Sequence, residues 1–455
     1  MNINDKNADM AKAFEGFLES ARNINTVPQE AFENFRIKRG LREMDGTGVM
    51  AGVTKIGNAH GYMVYEGERV ADDGKLEYRG YDMADMVDGV SAEDRYGFEE
   101  CAYVLLFGKL PTKNELEDFS ALVSSKRHLP PHFTEDILMR APTPSIMNKM
   151  SMGMLALYAY DENPDDTSLE NLLRQSIEVI ARLPVIAAHS YSIYRSTFHG
   201  ASLTLHLPDD NLSTAQNFLR VLRPDMQFTE EEARLLDLCM IIHAEHGGGN
   251  NSTFSCRVLS SSGTDTYSAM SAAIGSLKGP LHGGANIKVQ EMFDCIKSNV
   301  GDIKDDDEVT DFLLKILNKE VYDKKGLIYG MGHAIYTKSD PRAVMLKKYA
   351  EKLAYEKGYG DDFKLLETIE RVTPELFSRY KGSNKTMCAN VDLYSGLVYR
   401  MLDIPVELYT PLFAIARVSG WCAHRIEEIQ TAKRIIRPAY KNLSQPNIYV
   451  PMNER

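Results

Sequence analysis

From Ser91 onward, apolar residues recur at helical spacing and rarely alternate with period two. Segments 95–107, 112–127, 166–190, 229–247, 265–278 and 408–436 each gather their apolar side chains into a stripe, the pattern of helices packed on a core. Two shorter amphipathic segments, 6–24 and 28–43, precede them. Only residues 50–80 read differently. There Gly57-Asn58, Glu66-Gly67 and Asp72-Asp73-Gly74 punctuate short β-branched and aromatic runs, so a small antiparallel β element is predicted. The fold class that follows is all-α, with one small β element near residues 50–80. Pro130-Pro131, Pro142 with Pro144, and Gly279-Pro280 mark breaks between helices. The absence of an internal repeat leaves solenoid and propeller folds unsupported.

The chain has 455 residues, 44% of them hydrophobic, which is more than one core usually sustains, so two domains are predicted. Its formal net charge is −12. Such a surface repels nucleic acid and anionic membranes, and no run approaches the 18 apolar residues of a membrane span. Anionic substrates would therefore need a local basic island, built from a few well-placed arginines. Cysteines 101, 239, 256, 295, 388 and 422 form no Cys-x-x-Cys pair. They read as reduced, mostly buried thiols of a cytoplasmic protein. Met1–Ser20 carries acids and lacks the apolar region of a secretory signal. Asp305-Asp306-Asp307-Glu308 lacks the glycine and ligand spacing of a calcium loop and reads as the acidic first turn of a helix beginning near 306.

Five patches in the C-terminal half carry chemistry. In Ile242-His243-Ala244-Glu245-His246-Gly247-Gly248-Gly249, two histidines end an apolar helix and three glycines follow. His-x-x-His spacing puts both rings near one helix face. A metal pair, a structural pair and a ligand-binding histidine all remain open, although the string is not His-Glu-x-x-His and no third ligand lies nearby. In Lys278-Gly279-Pro280-Leu281-His282-Gly283-Gly284, a histidine sits at the predicted start of a helix over 284–298. The positive end of a helix disfavours imidazolium, and a neutral ring can donate to a developing enolate. In Tyr329-Gly330-Met331-Gly332-His333, a flexible loop precedes a histidine, and Asp340-Pro341-Arg342 suits the first turn of a helix. In Cys388-Ala389-Asn390-Val391-Asp392, an acid stands among apolar residues, either as a helix N-cap or as a carboxylate base in a water-poor site. Arg417 lies within the apolar stretch Phe413–Trp421. A buried guanidinium is costly without an anionic partner, internal or bound. Arg437 follows in Arg434-Ile435-Ile436-Arg437-Pro438.

Together the strings GPLHGGAN, GHAIYTKSDPR, NVDLYSG and ARVSGW…RIIRP resemble those of citrate synthases, in family order and over roughly residues 40–440. Gly46-Thr47-Gly48 and Tyr78-Arg79-Gly80-Tyr81-Asp82 share the likeness. The resemblance implies a two-domain helical fold, with a large domain over 1–288 and 398–455 and a small domain over 289–397. It implies that acetyl-CoA and oxaloacetate are condensed to citrate, a tricarboxylic acid cycle reaction, with acetyl-CoA a substrate and no metal or other cofactor. The catalytic residues implied are His282 at the thioester oxygen, Asp392 as base and His333 at the keto oxygen. His246, Arg342, Arg417 and Arg437 would hold the substrate carboxylates, with Arg437 crossing the interface of a homodimer. Gly330, Gly332 and Lys338 would meet CoA. Many relatives carry an arginine where Thr337 stands, so that contact would fall to Lys338. A 2-methylcitrate synthase using propionyl-CoA would share all these residues. A metal-dependent hydrolase built on His243, Glu245 and His246, and a catalytically silent scaffold, are the alternatives from other classes.

Overall fold

A computed structural model describes residues 3–43, 46–381, 386–431 and 433–455. It comprises two units. The first contains residues up to Ala51 together with Gly67–Arg69. It holds the helices Ile3–Ile24 and Gln29–Asn34 and a short 3₁₀ turn at Arg39–Leu41. The second helix is thus much shorter than the predicted 28–43. It stops at Asn34, and Arg36 follows with a φ of 50°, a left-handed geometry that cannot continue an α-helix.

The second unit contains Gly52–Glu66 and Val70–Arg455 and is built mainly from helices. The predicted β element is a three-stranded antiparallel sheet of β1 (Gly57–Tyr65), β2 (Glu68–Tyr78) and β3 (Tyr81–Asp82), in that order. The turn lies at Glu66-Gly67, where both residues have positive φ, as a two-residue hairpin loop requires. Gly57-Asn58 opens β1, whereas Asp72-Asp73-Gly74, predicted as punctuation, lies inside β2. Gly74 is tolerated there because another backbone approaches it, as described below.

The helix Tyr409–Thr431 forms the centre of this unit. Nearly every side chain from Tyr409 to Ile426 is buried, as expected of a helix apolar on all sides. It packs on Leu169–His199, Glu230–His243, Asn251–Ser260 and Thr266–Leu277. It ends at Thr431 rather than 436, and Ala432 lies outside the described residues. The other predicted helices are observed within a few residues of their expected ends, except that the one expected over 166–190 runs on to His199. The acidic run is a helix start, with Asp305 accepting from the amides of Asp307 and Glu308. All six cysteines are free, and all but Cys295 are buried. Among the described residues, no helix is long and apolar enough to cross a membrane.

Candidate active site

The helix Glu230–His243 starts at a capping box between Thr229 and Glu232, which satisfies amide donors left over at a helix start. At its other end the chain turns through Gly247, whose φ is +84°. His243 is tied to the Cys239 carbonyl at 2.7 Å. His246 is 5% exposed, and its Nε2 makes no hydrogen bond to another residue. Burial holds the His246 imidazole neutral, reinforced by the charges of Arg342 and Arg417. Glu245 is fully buried and accepts from His424 Nε2 at 2.8 Å and from the Gly247 amide at 2.5 Å. Gly57 and Gly420 leave the room it occupies, since a Cβ at either would overlap it. No three His, Cys, Asp or Glu side chains among the described residues are grouped as a metal site requires. His243 and Glu245, ligands of the hydrolase alternative, are instead engaged with Cys239 and His424.

Arg417 projects from the central helix and is 0% exposed. Its Nε donates to the His243 carbonyl at 2.6 Å, while Nη1 and Nη2 find no partner. Burial lowers its pKa to about 10, against the pull of Glu245. A buried guanidinium with two idle nitrogens is the strongest sign of an anion site in the chain, because desolvation of that charge is otherwise uncompensated.

The loop before His333 is spliced onto the segment before Asp392. Gly330 and Gly332 have φ of +83° and +85°, a backbone that favours glycine. Met331 bridges Ala389, the Gly332 amide donates to the Cys388 carbonyl at 2.7 Å, and the Asn390 amide donates to the Gly330 carbonyl at 2.8 Å. Asn390 Nδ2 also reaches the Gly332 carbonyl at 2.8 Å. The Asn390 side chain caps the helix Val391–Met401, accepting from the Asp392 amide at 3.0 Å. Asp392 is therefore not the N-cap, and its carboxylate is released from that duty. Burial pushes it up to about 6, opposed by nearby Arg342.

Arg342 is 4% exposed in the first turn of Pro341–Glu356, with Pro341 before it and Asp340 as N-cap. Asp340 grips it twice, Nε to Oδ1 at 2.9 Å and Nη2 to Oδ2 at 2.7 Å, which fixes the fork. Arg342 Nη2 lies 3.4 Å from His333 Nε2. The amides of Ile335 and Tyr336 both donate to His333 Nδ1, at 3.1 and 3.2 Å. Both ring nitrogens of His333 thus face donors, Nδ1 the two amides and Nε2 the Arg342 guanidinium. The His246 and His333 rings lie 5.2 Å apart, centroid to centroid.

His282 sits in the turn before the helix Ala285–Asn299. Its Nε2 is 3.1 Å from Ser252 Oγ, which also accepts from Trp421 Nε1 at 3.3 Å. Burial, with help from Arg417, lowers its pKa to about 4, so the ring is neutral at ordinary pH.

Thus His246, His333 and Arg342 lie together, Asp392 stands within the field of Arg342, and His246 and His282 stand within that of Arg417. Arg437 is exposed, outside any helix or strand, and Lys338 is also exposed. Gly330 and Gly332 shape the splice between the two loops. Thr337, noted in the sequence for the arginine it replaces, ties its loop to the sheet: its hydroxyl donates to the Gly61 carbonyl and accepts from the Asp72 amide. The Gly74 amide donates to Ser339 Oγ at 3.0 Å. A Cβ at Gly74 would overlap the Ser339 carbonyl oxygen, which is backbone and cannot step aside cheaply. Gly74→Ala is therefore expected to destabilise the fold by about 1–3 kcal/mol in a urea titration, the usual effect of overpacking. Asn390, Asp340, Ser252 and Tyr336 were not singled out from the sequence, and Glu245 only as a ligand of the hydrolase alternative. Only Asn390 and Asp340 carried a usable signal, an Asx residue just before a helical run.

The family model described as "Citrate synthase, C-terminal domain" matches residues 44–439. A citrate synthase of Synechocystis is 36% identical, over 84% of this chain and 89% of its own length. A 2-methylcitrate synthase of Shewanella oneidensis is 33% identical, over 84% of this chain and 92% of its own. Among solved structures, the Thermotoga maritima citrate synthase matches with a TM-score of 0.71 and 30% identity, covering 92% of this chain and 99% of that one. The Thermoplasma acidophilum citrate synthase, in ternary complex with carboxymethyl coenzyme A and oxaloacetate, matches with a TM-score of 0.74 and 27% identity, over the same shares.

Proposed function

This chain belongs to the citrate synthase family, and from that premise we propose which of its residues perform the condensation. The enzyme joins an acyl-CoA to a 2-oxo acid. Asp392 takes a proton from the methyl group of acetyl-CoA. An ordinary aspartate, with a pKa near ~3.9, is far too weak a base for this. Two features offset the mismatch. Burial raises the basicity of Asp392. A neutral His282 donates a hydrogen bond to the thioester oxygen as it gains charge. The enol carbon then attacks the keto carbon of oxaloacetate, His333 delivers a proton to the keto oxygen, and the proton taken by Asp392 returns to the imidazole, so that both groups are restored. Water hydrolyses the resulting citryl-CoA, releasing citrate and CoA.

His246, Arg342 and Arg417 hold the two carboxylates of oxaloacetate. The observation that carries this reading is the set of buried, idle donors on Arg417, beside the unpartnered Nε2 of His246. They form the basic island that a chain of net charge −12 needs for anionic substrates. Arg437 completes the site from the second subunit of a homodimer, a role its exposure in this chain supports. Gly330, Gly332 and Lys338 meet CoA, and no further cofactor takes part. Residues 289–397 close as a small domain over 1–288 and 398–455 once oxaloacetate is bound, with the spliced loop at 330–332 and 388–390 moving as one piece. The free cysteines support a reading in which the enzyme works in the cytoplasm, within the tricarboxylic acid cycle.

The test is thiol release from acetyl-CoA and propionyl-CoA, each with oxaloacetate. Faster kcat/KM with acetyl-CoA is expected. A preference for propionyl-CoA would instead assign 2-methylcitrate synthesis, the activity named for the Shewanella relative. The base must be ionised to act. A pH–rate profile should therefore show kcat falling about tenfold per unit below a pKa near 6 and level above it, because Asp392 binds its proton there. A limb near pH 4 would remove the perturbed aspartate from the mechanism.

A further inference from the structure

One group in the site has no part in the mechanism above. Tyr336 is 2% exposed, and its hydroxyl makes no hydrogen bond to another residue. The ring is held on several sides. It stacks on His333 with centroids 4.7 Å apart and planes at 26°. It stands edge-on to His246 at 5.5 Å. The Arg342 guanidinium lies 5.4 Å from its centroid. Behind it the sheet gives way: a Cβ at Gly61 would come 2.6 Å from the Tyr336 Cα, and one at Gly74 would come 2.9 Å from Cδ1. The protein thus holds a phenol rigidly among two histidines and a guanidinium while leaving its hydroxyl idle. A phenylalanine would fill the same space without burying an unsatisfied polar atom, which is unfavourable in any interior.

The neighbours of the hydroxyl say what it would meet. Arg342 and Arg417 lower its pKa, and Asp340 and Cys388 raise it, but burial dominates and keeps the phenol protonated. It is therefore available as a neutral donor beside two cationic groups. On the reading that this pocket binds the 2-oxo dicarboxylate, we propose that Tyr336 is a further substrate-binding residue, its hydroxyl donating to a carboxylate oxygen of oxaloacetate held by Arg342 and Arg417. The same contact stabilises the ring on which His333 is stacked, so binding of the acceptor also fixes the proton donor to the keto oxygen.

The experiment is Tyr336→Phe in the full-length enzyme, with oxaloacetate affinity by calorimetry, KM for both substrates, and thermal melting without ligand. Oxaloacetate affinity is expected to fall about 10- to 100-fold, the range for a hydrogen bond to a charged group. KM for acetyl-CoA should stay within about twofold, and the melting temperature should equal or exceed that of the parent, because an idle buried hydroxyl has gone. Oxaloacetate affinity within about twofold of the parent overturns the proposal. So does a loss of affinity accompanied by a clear fall in melting temperature, since the hydroxyl would then be structural. Arg417→Leu, run in parallel, separates the two levels. If it loses oxaloacetate and Tyr336→Phe does not, only the tyrosine assignment fails. If both bind normally, the pocket itself has been misassigned.

Discussion

Asp392→Asn is expected to lower kcat by about 10²–10⁴-fold, the contribution of a positioned general base, while leaving oxaloacetate affinity close to the parent. The asparagine keeps the volume and the helix start, because the cap is supplied by Asn390 and not by residue 392. What disappears is the one group whose basicity has been raised by burial at this place. Oxaloacetate should still bind, since its partners are His246, Arg342 and Arg417. Calorimetric titration with oxaloacetate alone, beside steady-state thiol release, separates the two effects. A variant with near-normal turnover would show that the methyl proton goes elsewhere.

Arg417→Leu is expected to act in the opposite way, on binding before chemistry. Removing one member of a buried, hydrogen-bonded charge pair costs roughly 2–5 kcal/mol, which corresponds to about 30- to 4000-fold in oxaloacetate affinity. Without ligand, the same change should not weaken the fold. The guanidinium is 0% exposed with two idle nitrogens, and a leucine, though smaller and without the bond to the His243 carbonyl, removes a desolvated charge from an apolar neighbourhood that includes Phe413. Urea unfolding at or above the parent midpoint, together with lost oxaloacetate binding, is the expected combination. A variant that unfolds easily yet binds normally would make Arg417 a structural residue.

The helices were legible because their apolar periodicity survives in the chain: 229–247 and 408–436 were placed within a few residues of where they begin. Their ends were less so. The second helix stops at Asn34, just before a left-handed Arg36 that periodicity does not register. Gly74 resembles a turn signal, yet it lies in β2 because the Ser339 backbone presses on it. That pressure comes from a segment 265 residues away and leaves no local trace. The site followed the same division. A lone arginine in an apolar helix announces an anion, so Arg417 could be found from its neighbours in sequence. Tyr336 could not, since a tyrosine beside a Gly-rich loop is unremarkable until its hydroxyl is seen to be buried and idle. Thr337 looked like a lost phosphate contact and proved to be a tether between the His333 loop and the sheet.

The most direct test is a crystal structure of the enzyme with oxaloacetate and carboxymethyl-CoA, an unreactive acyl-CoA analogue. Oxaloacetate carboxylates should lie within about 3.2 Å of Arg342 and Arg417, the keto oxygen should face His333 Nε2, and the analogue's carboxymethyl group should sit between His282 and Asp392. Oxaloacetate bound away from the two arginines, or His282 and Asp392 on opposite sides of the closed protein with no acyl group between them, would contradict the assignment.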